Sequence, residues 1–258
     1  GAILGSDGKV HMLYRALGED GISRLGYARS EDAWTFEDGV SYPVFTLENV
    51  RKDQVPLSSQ AYSQSNPSGG GWSGSEDPRM VSIDGRVYVT DRVTSPVELE
   101  QVLCFDAATG KQIWSYAYEC DYEKVQYRDG PRAAPTINDC RVYCLGTMGH
   151  LFCLDAAKGD VLWSRNLKAE YSLSVPIWGI AAAPLVEEDL VIVQVGGKGD
   201  ACLIAFDKVS GRERWRALND RASYSAPIII EQAGQRVLVC WTGDSVTGLD
   251  PLTGKVYW

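Results

Sequence analysis

CFDAATGKQIW at residues 104–114, CLDAAKGDVLW at 153–163, AFDKVSGRERW at 205–215 and GLDPLTGKVYW at 248–258 align without a gap. In each copy an Asp stands four residues before a Gly, and the Gly four residues before a Trp: Asp106/Gly110/Trp114, Asp155/Gly159/Trp163, Asp207/Gly211/Trp215 and Asp250/Gly254/Trp258. The tryptophans lie 49, 52 and 43 residues apart, the span of a four-stranded propeller blade rather than of a helical-hairpin repeat. The residue types explain the unit. An apolar strand ends at Asp, whose short carboxylate accepts hydrogen bonds from the N–H groups of the following turn. Gly supplies a positive φ that closes the turn. A short strand then carries Trp, large enough to fill the space between neighbouring sheets. Recurrence in register makes these aspartates turn formers rather than catalytic groups.

A second element precedes each copy. Pro78, Pro135, Pro184 and Pro227 open the apolar runs DPRMVSI, APTI, APLV and APIII, and proline suits the first residue of a strand, where a ladder N–H can be spared. Polar turns follow at Asp84-Gly85, Asn138-Asp139, Glu187-Glu188-Asp189 and Ala233-Gly234, then strands such as RVYVTDRV, RVYCLGT, LVIVQVG and RVLVCWTG. The order strand, hairpin, strand, turn, strand, tight turn, Trp strand is a four-stranded meander, complete four times between Glu76 and Trp258.

The chain has 258 residues, 45% of them hydrophobic and 23% charged, with a formal charge of -9. That is a folded globular composition, long enough to bury a core without staples. The acidic balance argues against a nucleic-acid partner and against a basic membrane-docking face. No run reaches the roughly 20 apolar residues of a spanning helix, and the first residues lack a signal-peptide layout, so a soluble chain of unknown localisation is expected. Seven cysteines fall at no metal-ligand spacing. Cys104, Cys153 and Cys202 sit in apolar runs and read as buried thiols, and Cys140-x3-Cys144 is a weak zinc signal. Only His11 and His150 exist, and neither has a supporting motif, so no metal site is expected.

From about residue 85 to 258 the chain resembles the PQQ-like β-propeller repeat, on GRVYVTDRV, VLCFDAATGKQIW and RVYCLGTMGHLFCLDAAKGDVLW. Its nearest likeness is to bacterial proteins that carry the repeat without the quinone, similar to the outer-membrane assembly lipoproteins. Quinone dehydrogenases with this repeat carry an adjacent Cys-Cys pair, which this chain lacks, so the resemblance implies no cofactor and a binding or scaffolding role.

Residues 1–75 contain no Asp-x3-Gly-x3-Trp unit. Alternation in VHMLYRAL and SRLGYARS, with turns at Asp7-Gly8 and Asp20-Gly21, predicts strands AIL, VHMLYRA and ISRLGYA and a short strand around Trp34–Phe36. Residues 48–75 read as a long polar loop. GKVHMLYRALGEDGISRLGYARSED and GSEDPRMVSIDGR resemble glycoside hydrolase family 130, the mannoside phosphorylases and related hydrolases. That resemblance covers about residues 1–86, and the two meet near 84–92.

The expected fold is therefore all-β: a five-bladed propeller of four-stranded antiparallel blades at about 1–37, 76–117, 133–167, 176–217 and 222–258, one domain over 1–258, closed without a shared strand. A mid-hairpin change of family and blade-flush boundaries lead us to expect a hybrid, engineered or recombined, without an intact catalytic site. The family-130 likeness implies Asp77 as the sugar-side acid with Glu76 beside it. Arg79, together with Arg15, Asp20 and Arg24 from loops of the preceding blade, would be ligand-binding groups at the channel mouth. A residual phosphorolytic or carbohydrate-binding protein centred on Asp77 is the alternative, although the phosphate-binding blades of that family have been replaced. Expected partners are a carbohydrate or protein ligand at the channel mouth, no nucleic acid and no membrane, with the chain a monomer or weak homo-oligomer. Tyr116, Tyr118, Tyr122, Tyr127, Tyr171, Tyr224, Trp178 and Trp241 could line a binding surface, but strand packing is expected to account for most of them.

Overall fold

Strands that bury both faces need apolar residues at every position rather than at alternate ones, and VYCL, LFCL, VIVQV and CLIAF have that character. The computed structural model describes the backbone of residues 2–4, 10–17, 22–30, 37–38 and 73–74, and backbone and side chains of 79–93, 97–126 and 130–258. Contacts divide the chain into two units, Gly1–Pro78 with Val93–Val97, and Arg79–Arg92 with Glu98–Trp258.

The first unit holds one sheet, with β1 (Ala2–Leu4), β2 (Val10–Leu17), β3 (Ile22–Ser30) and β4 (Glu37–Asp38) in sequential antiparallel order. One expectation falls outside the described residues and one feature differs from the sequence reading. The fourth strand is Glu37–Asp38, opposite Arg29 and Ala28, and the predicted Trp34–Phe36 position lies outside the described residues. A fifth strand, β5 (Ser73–Gly74), comes from the stretch read as loop and pairs parallel with Ile22 and Ser23. Because β4 covers only one end of β3, the backbone groups at its other end remain available for pairing.

The second unit contains four sheets, each a meander from one continuous stretch. They comprise β6–β9 (Met80–Ile83, Arg86–Val93, Leu99–Asp106, Gln112–Glu119), β10–β13 (Thr136–Asn138, Arg141–Leu145, His150–Asp155, Val161–Asn166), β14–β17 (Leu185–Glu187, Leu190–Gly197, Ala201–Asp207, Glu213–Ala217) and β18–β20 (Ile228–Gln232, Gln235–Trp241, Val246–Leu249). The architecture is that of antiparallel propeller blades. The last sheet has three strands instead of the expected four: the Trp strand reduces to a Leu249–Val256 bridge and hydrogen bonds on Gly248. In the other three sheets the ladder runs on past the Trp, to Glu119, Asn166 and Ala217. One element departs from all-β, a single-turn helix α1 (Leu167–Tyr171), capped by Asn166, whose side chain accepts from the Ala169 N–H at 3.1 Å.

Side-chain alternation shows how these four sheets stack. Tyr88, Val102 and Cys104 of the second sheet share a core with Val142, Cys144, Phe152 and Leu154 of the third. The other parity of the third, Tyr143, Leu145, Leu151 and Cys153, packs on Val191, Val193, Ile204 and Phe206 of the fourth. Leu190, Ile192, Leu203 and Ala205 of the fourth then meet Leu238, Cys240 and Leu249 of the fifth. Both faces of the middle sheets are consumed by packing.

The repeated Asp-Gly-Trp unit is the joint of this stack. Each Asp Oδ1 accepts from backbone N–H groups two or three residues ahead: Thr109 for Asp106 (2.7 Å), Lys158 for Asp155 (2.8 Å), Ser210 for Asp207 (2.8 Å) and Leu252 for Asp250 (2.8 Å). The glycines follow at φ of +66, +78, +69 and +72°. Each of three tryptophans reaches into the next sheet. The indole N–H of Trp114 donates to the Ala156 carbonyl (3.0 Å), that of Trp163 to Lys208 (3.2 Å) and that of Trp215 to Pro251 (3.1 Å), the residue after the next Asp in every case. The ring lies on the glycine of that turn, where an added Cβ on Gly159, Gly211 or Gly254 would fall 2.6 Å from ring carbon. Only glycine allows both the backbone turn and the ring contact.

Candidate functional site

The antiparallel order puts the Asp–Gly turns at one end of the sheets. At the opposite end lie the hairpins 146–149, 196–200 and 242–245 and the long connections 120–135, 167–184 and 218–227. This loop end does not repeat.

Its foundation is Glu100, 1% exposed on β8. The carboxylate accepts from the Tyr118 hydroxyl, from the Tyr122 hydroxyl at 2.5 Å and, across the sheet boundary, from the Thr147 N–H at 3.0 Å; the Thr147 hydroxyl donates to Tyr122 at 2.9 Å. Gly146 permits the cluster, since a Cβ there would collide with the Tyr118 hydroxyl and Glu100 Oε2. Arg92 stacks on the Tyr122 ring at 3.7 Å and pairs with Glu98 at 2.7 Å. Burial, reinforced by the Glu100 charge, pushes the Tyr118 and Tyr122 phenols well up, so both stay protonated as donors. Burial also pushes the Cys120 thiol up and the His150 imidazole down. A thiol kept from ionising is a poor nucleophile, so the arrangement ties the 120–126 connection to the 146–149 hairpin of the next sheet.

Over that foundation lies an open groove of about 440 Å³. Val125, Met148, Leu173, Val175, Pro176 and Ile177 form its apolar floor and walls, with Glu123, Lys124 and Lys168 at the rim. Lys168 is ion-paired with Glu123, and the Ile177 carbonyl accepts from the Gln126 N–H at 2.9 Å, which fixes the two connections against each other. Ile177 in that wall and Trp178 next to it are each 50% exposed, and Tyr224 is 40% exposed. The Trp178 and Tyr224 rings lie 5.2 Å apart. Arg132 donates to the Trp178 carbonyl, holding that segment in place.

The aromatic residues singled out from sequence therefore separate. Tyr122 and Tyr171 are buried, Tyr116 and Tyr118 pack on the core shared by the second and third sheets, and Trp178, Tyr224 and Trp241 are exposed; Tyr127 lies outside the described residues. Asp77, Glu76 and Asp20 also lie outside them. Arg15 and Arg24 are not loop residues as expected. They occupy strands β2 and β3, opposite Leu25 and Ala16, because the strand alternation continues to Leu17 and resumes at Ile22. Arg79 is half-buried in the second unit and donates to the Arg132 carbonyl. Six cysteines are buried and Cys140 is exposed, all free, and no metal-holding group of His, Cys, Asp or Glu occurs among the described residues. No helix among them is long and apolar enough to cross a membrane.

Sequence comparison agrees with the repeat. The profile of the family described as outer membrane protein assembly factor BamB matches residues 34–177 and 98–258. The chain belongs to the BamB family. The match begins well before the 84–92 region where two resemblances were read as meeting, and it takes in the EDPR segment at 76–79. No curated protein matches. Among solved structures, a europium-containing methanol dehydrogenase is similar at 12% identity and a TM-score of 0.56, over 96% of this chain and 48% of that one. A quinohemoprotein alcohol dehydrogenase from Comamonas testosteroni is similar at 21% and 0.52, over 69% and 34%. BamB from Moraxella catarrhalis matches at 19% and 0.49, over 69% and 50%. The two dehydrogenase likenesses show the propeller fold, and the chain spans half or less of each structure.

Proposed function

We propose that this BamB-family chain is a non-catalytic scaffold whose loop end docks an extended segment of a partner polypeptide. One observation carries the reading: Ile177, Trp178 and Tyr224 stand exposed at a largely apolar groove, on connections anchored by the Ile180 N–H on the Thr147 carbonyl (2.9 Å) and the Ser223 N–H on the Gln194 side-chain oxygen (2.7 Å). Rigid aromatic anchors next to a desolvated pocket are what polypeptide interfaces use. The family's description as an assembly factor supports a polypeptide ligand. Outer-membrane barrel strands are segments of about ten residues that alternate apolar and polar side chains, and one row of such a strand suits an apolar groove.

The hybrid reading placed its junction near residues 84–92, and the family match that runs through that region from residue 34 speaks against it. The test is titration with synthetic strand peptides of alternating aromatic and polar residues, followed by tryptophan fluorescence and calorimetry, beside parallel titrations with mannobiose and phosphate. Saturable peptide binding that Trp178→Ala weakens is expected. Sugar or phosphate binding abolished by Asp77→Asn, with no peptide binding, would replace the scaffold reading by the carbohydrate one.

A further inference from the structure

The rim of the loop-end groove is charged unevenly. Two ammoniums, Lys124 and Lys168, stand there with one carboxylate, Glu123. Glu123 and Lys168 form an ion pair across the two connections, so that carboxylate is already taken. Lys124 is exposed and has no hydrogen-bond or ion-pair partner among the described residues. An ammonium carries three N–H donors and no acceptor. The side chains lining the groove therefore offer donors to an anion and no free carboxylate to a cation.

The backbone that carries Lys124 is fixed. The Val125 N–H donates to the Tyr122 carbonyl at 2.8 Å, the Gln126 N–H to the Ile177 carbonyl at 2.9 Å and the Glu123 N–H to the Asp121 carboxylate at 2.8 Å. Tyr122 and Val125 are buried in one apolar cluster with Cys120 and Met148, between the second and third sheets. A charge beside such a floor is screened less than one on open surface. Its sign runs against that of the whole chain. With a formal charge of -9, the long-range field of the chain draws cations and repels anions.

We propose that the groove selects extended polypeptide segments that carry a carboxylate, Asp or Glu, beside their apolar row, and that Lys124 is the residue that reads it. The inference rests on the docking of such a segment at this groove and fixes the charge the segment bears. A strand seated by its apolar row presents its polar row on the opposite face and edges, and the flexible stem of lysine lets the ammonium follow it from the rim.

Three ten-residue peptides test this, each alternating phenylalanine with serine and differing only in two polar positions, set to Glu, Gln or Lys. Titrated against the full chain by tryptophan fluorescence, the Glu peptide is expected to bind about threefold tighter than the Gln peptide or better, and the Lys peptide most weakly. The whole-chain charge alone predicts the reverse order. Lys124→Gln should level the three affinities, and Lys124→Glu should make the Lys peptide the tightest. Raising the salt from about 0.1 to about 1 M shortens the screening length from about 10 to about 3 Å and should shrink the preference. Trp178→Ala should weaken all three peptides alike. Binding without preference for Glu, a preference that survives Lys124→Glu, or a Glu peptide whose binding Trp178→Ala leaves untouched would overturn the inference while leaving peptide docking in place. If none of the three peptides binds, the docking reading falls and this inference falls with it.

Discussion

The two ends of the sheets in the second unit differ in what their residues are for. At the turn end four Asp–Gly turns have the same hydrogen bonds and three tryptophans make the same contact with the next sheet. At the loop end no connection resembles another. One carries a helix, one carries buried Tyr122, and among the described residues the exposed aromatics Trp178 and Tyr224 come from two of them. A scaffold is built by repetition, because every joint faces the same packing problem, whereas a binding surface has no reason to repeat. Stability should therefore respond chiefly to the turn end and ligand affinity to the loop end.

The largest effect is expected for Trp163→Ala. The ring fills the space over Gly211 and its N–H satisfies the Lys208 carbonyl, so removal leaves a cavity and an unpaired acceptor, costing about 3–5 kcal/mol in urea unfolding. A loss below about 1 kcal/mol would show that the joint is not what holds adjacent sheets together. The glycines sharpen the point. Gly211→Ala forces a Cβ into the Trp163 ring and should cost roughly 2–3 kcal/mol through overpacking. Gly110→Ala meets only the φ penalty, about 1 kcal/mol, because its turn is bare. Equal losses at the two positions would mean that backbone strain, not the indole contact, requires glycine.

Glu100→Gln comes next. The amide keeps the shape but offers one oxygen where two phenols and an N–H now donate to a carboxylate, so a loss of about 1–3 kcal/mol is expected. Hydrogen exchange should rise at Thr147, whose amide loses its acceptor. The smallest effect is acidification. Hydrogen bonds from Thr109 hold the Asp106 carboxyl, and those from Ser210 the Asp207 carboxyl, below the ordinary range. A depressed folded-state value contributes stability above the unfolded carboxylate pKa of about 3.9 and loses it as pH falls through the folded value. Unfolding midpoints should thus be level from neutral pH down to about 5 and then fall. A midpoint rising on acidification would contradict the turn bonds.

Legibility in the sequence follows the same division. Asp106 to Trp114 is a local unit of eleven residues, so its chemistry is readable without knowing any neighbour. Glu100 was not readable: in LEQVLCF it has the look of a solvent-facing position, and its partners Tyr122 and Thr147 are 22 and 47 residues away. Its one available signal is that it sits in a strand buried on both faces, where a charge requires partners. The split between buried Tyr122 and exposed Trp178 was likewise invisible, since each lies in an irregular connection whose course is set by packing on Met148 and Thr147. Alternation alone puts Arg15 and Arg24 in the strands VHMLYRA and ISRLGYA, and the ladder running to the Leu17–Ser23 pair keeps them there rather than in the loops that the family-130 resemblance implied.

The most direct test measures affinity and stability together in Trp178→Ala. The residue is 50% exposed at the loop end and takes part in none of the three Trp joints. The account predicts an unfolding free energy within about 0.5 kcal/mol of wild type, as for a surface substitution, and strand-peptide affinity weakened about tenfold or more. Unchanged affinity, or an affinity loss that merely tracks lost stability, would contradict the claim that scaffold and binding surface occupy opposite ends of the blades.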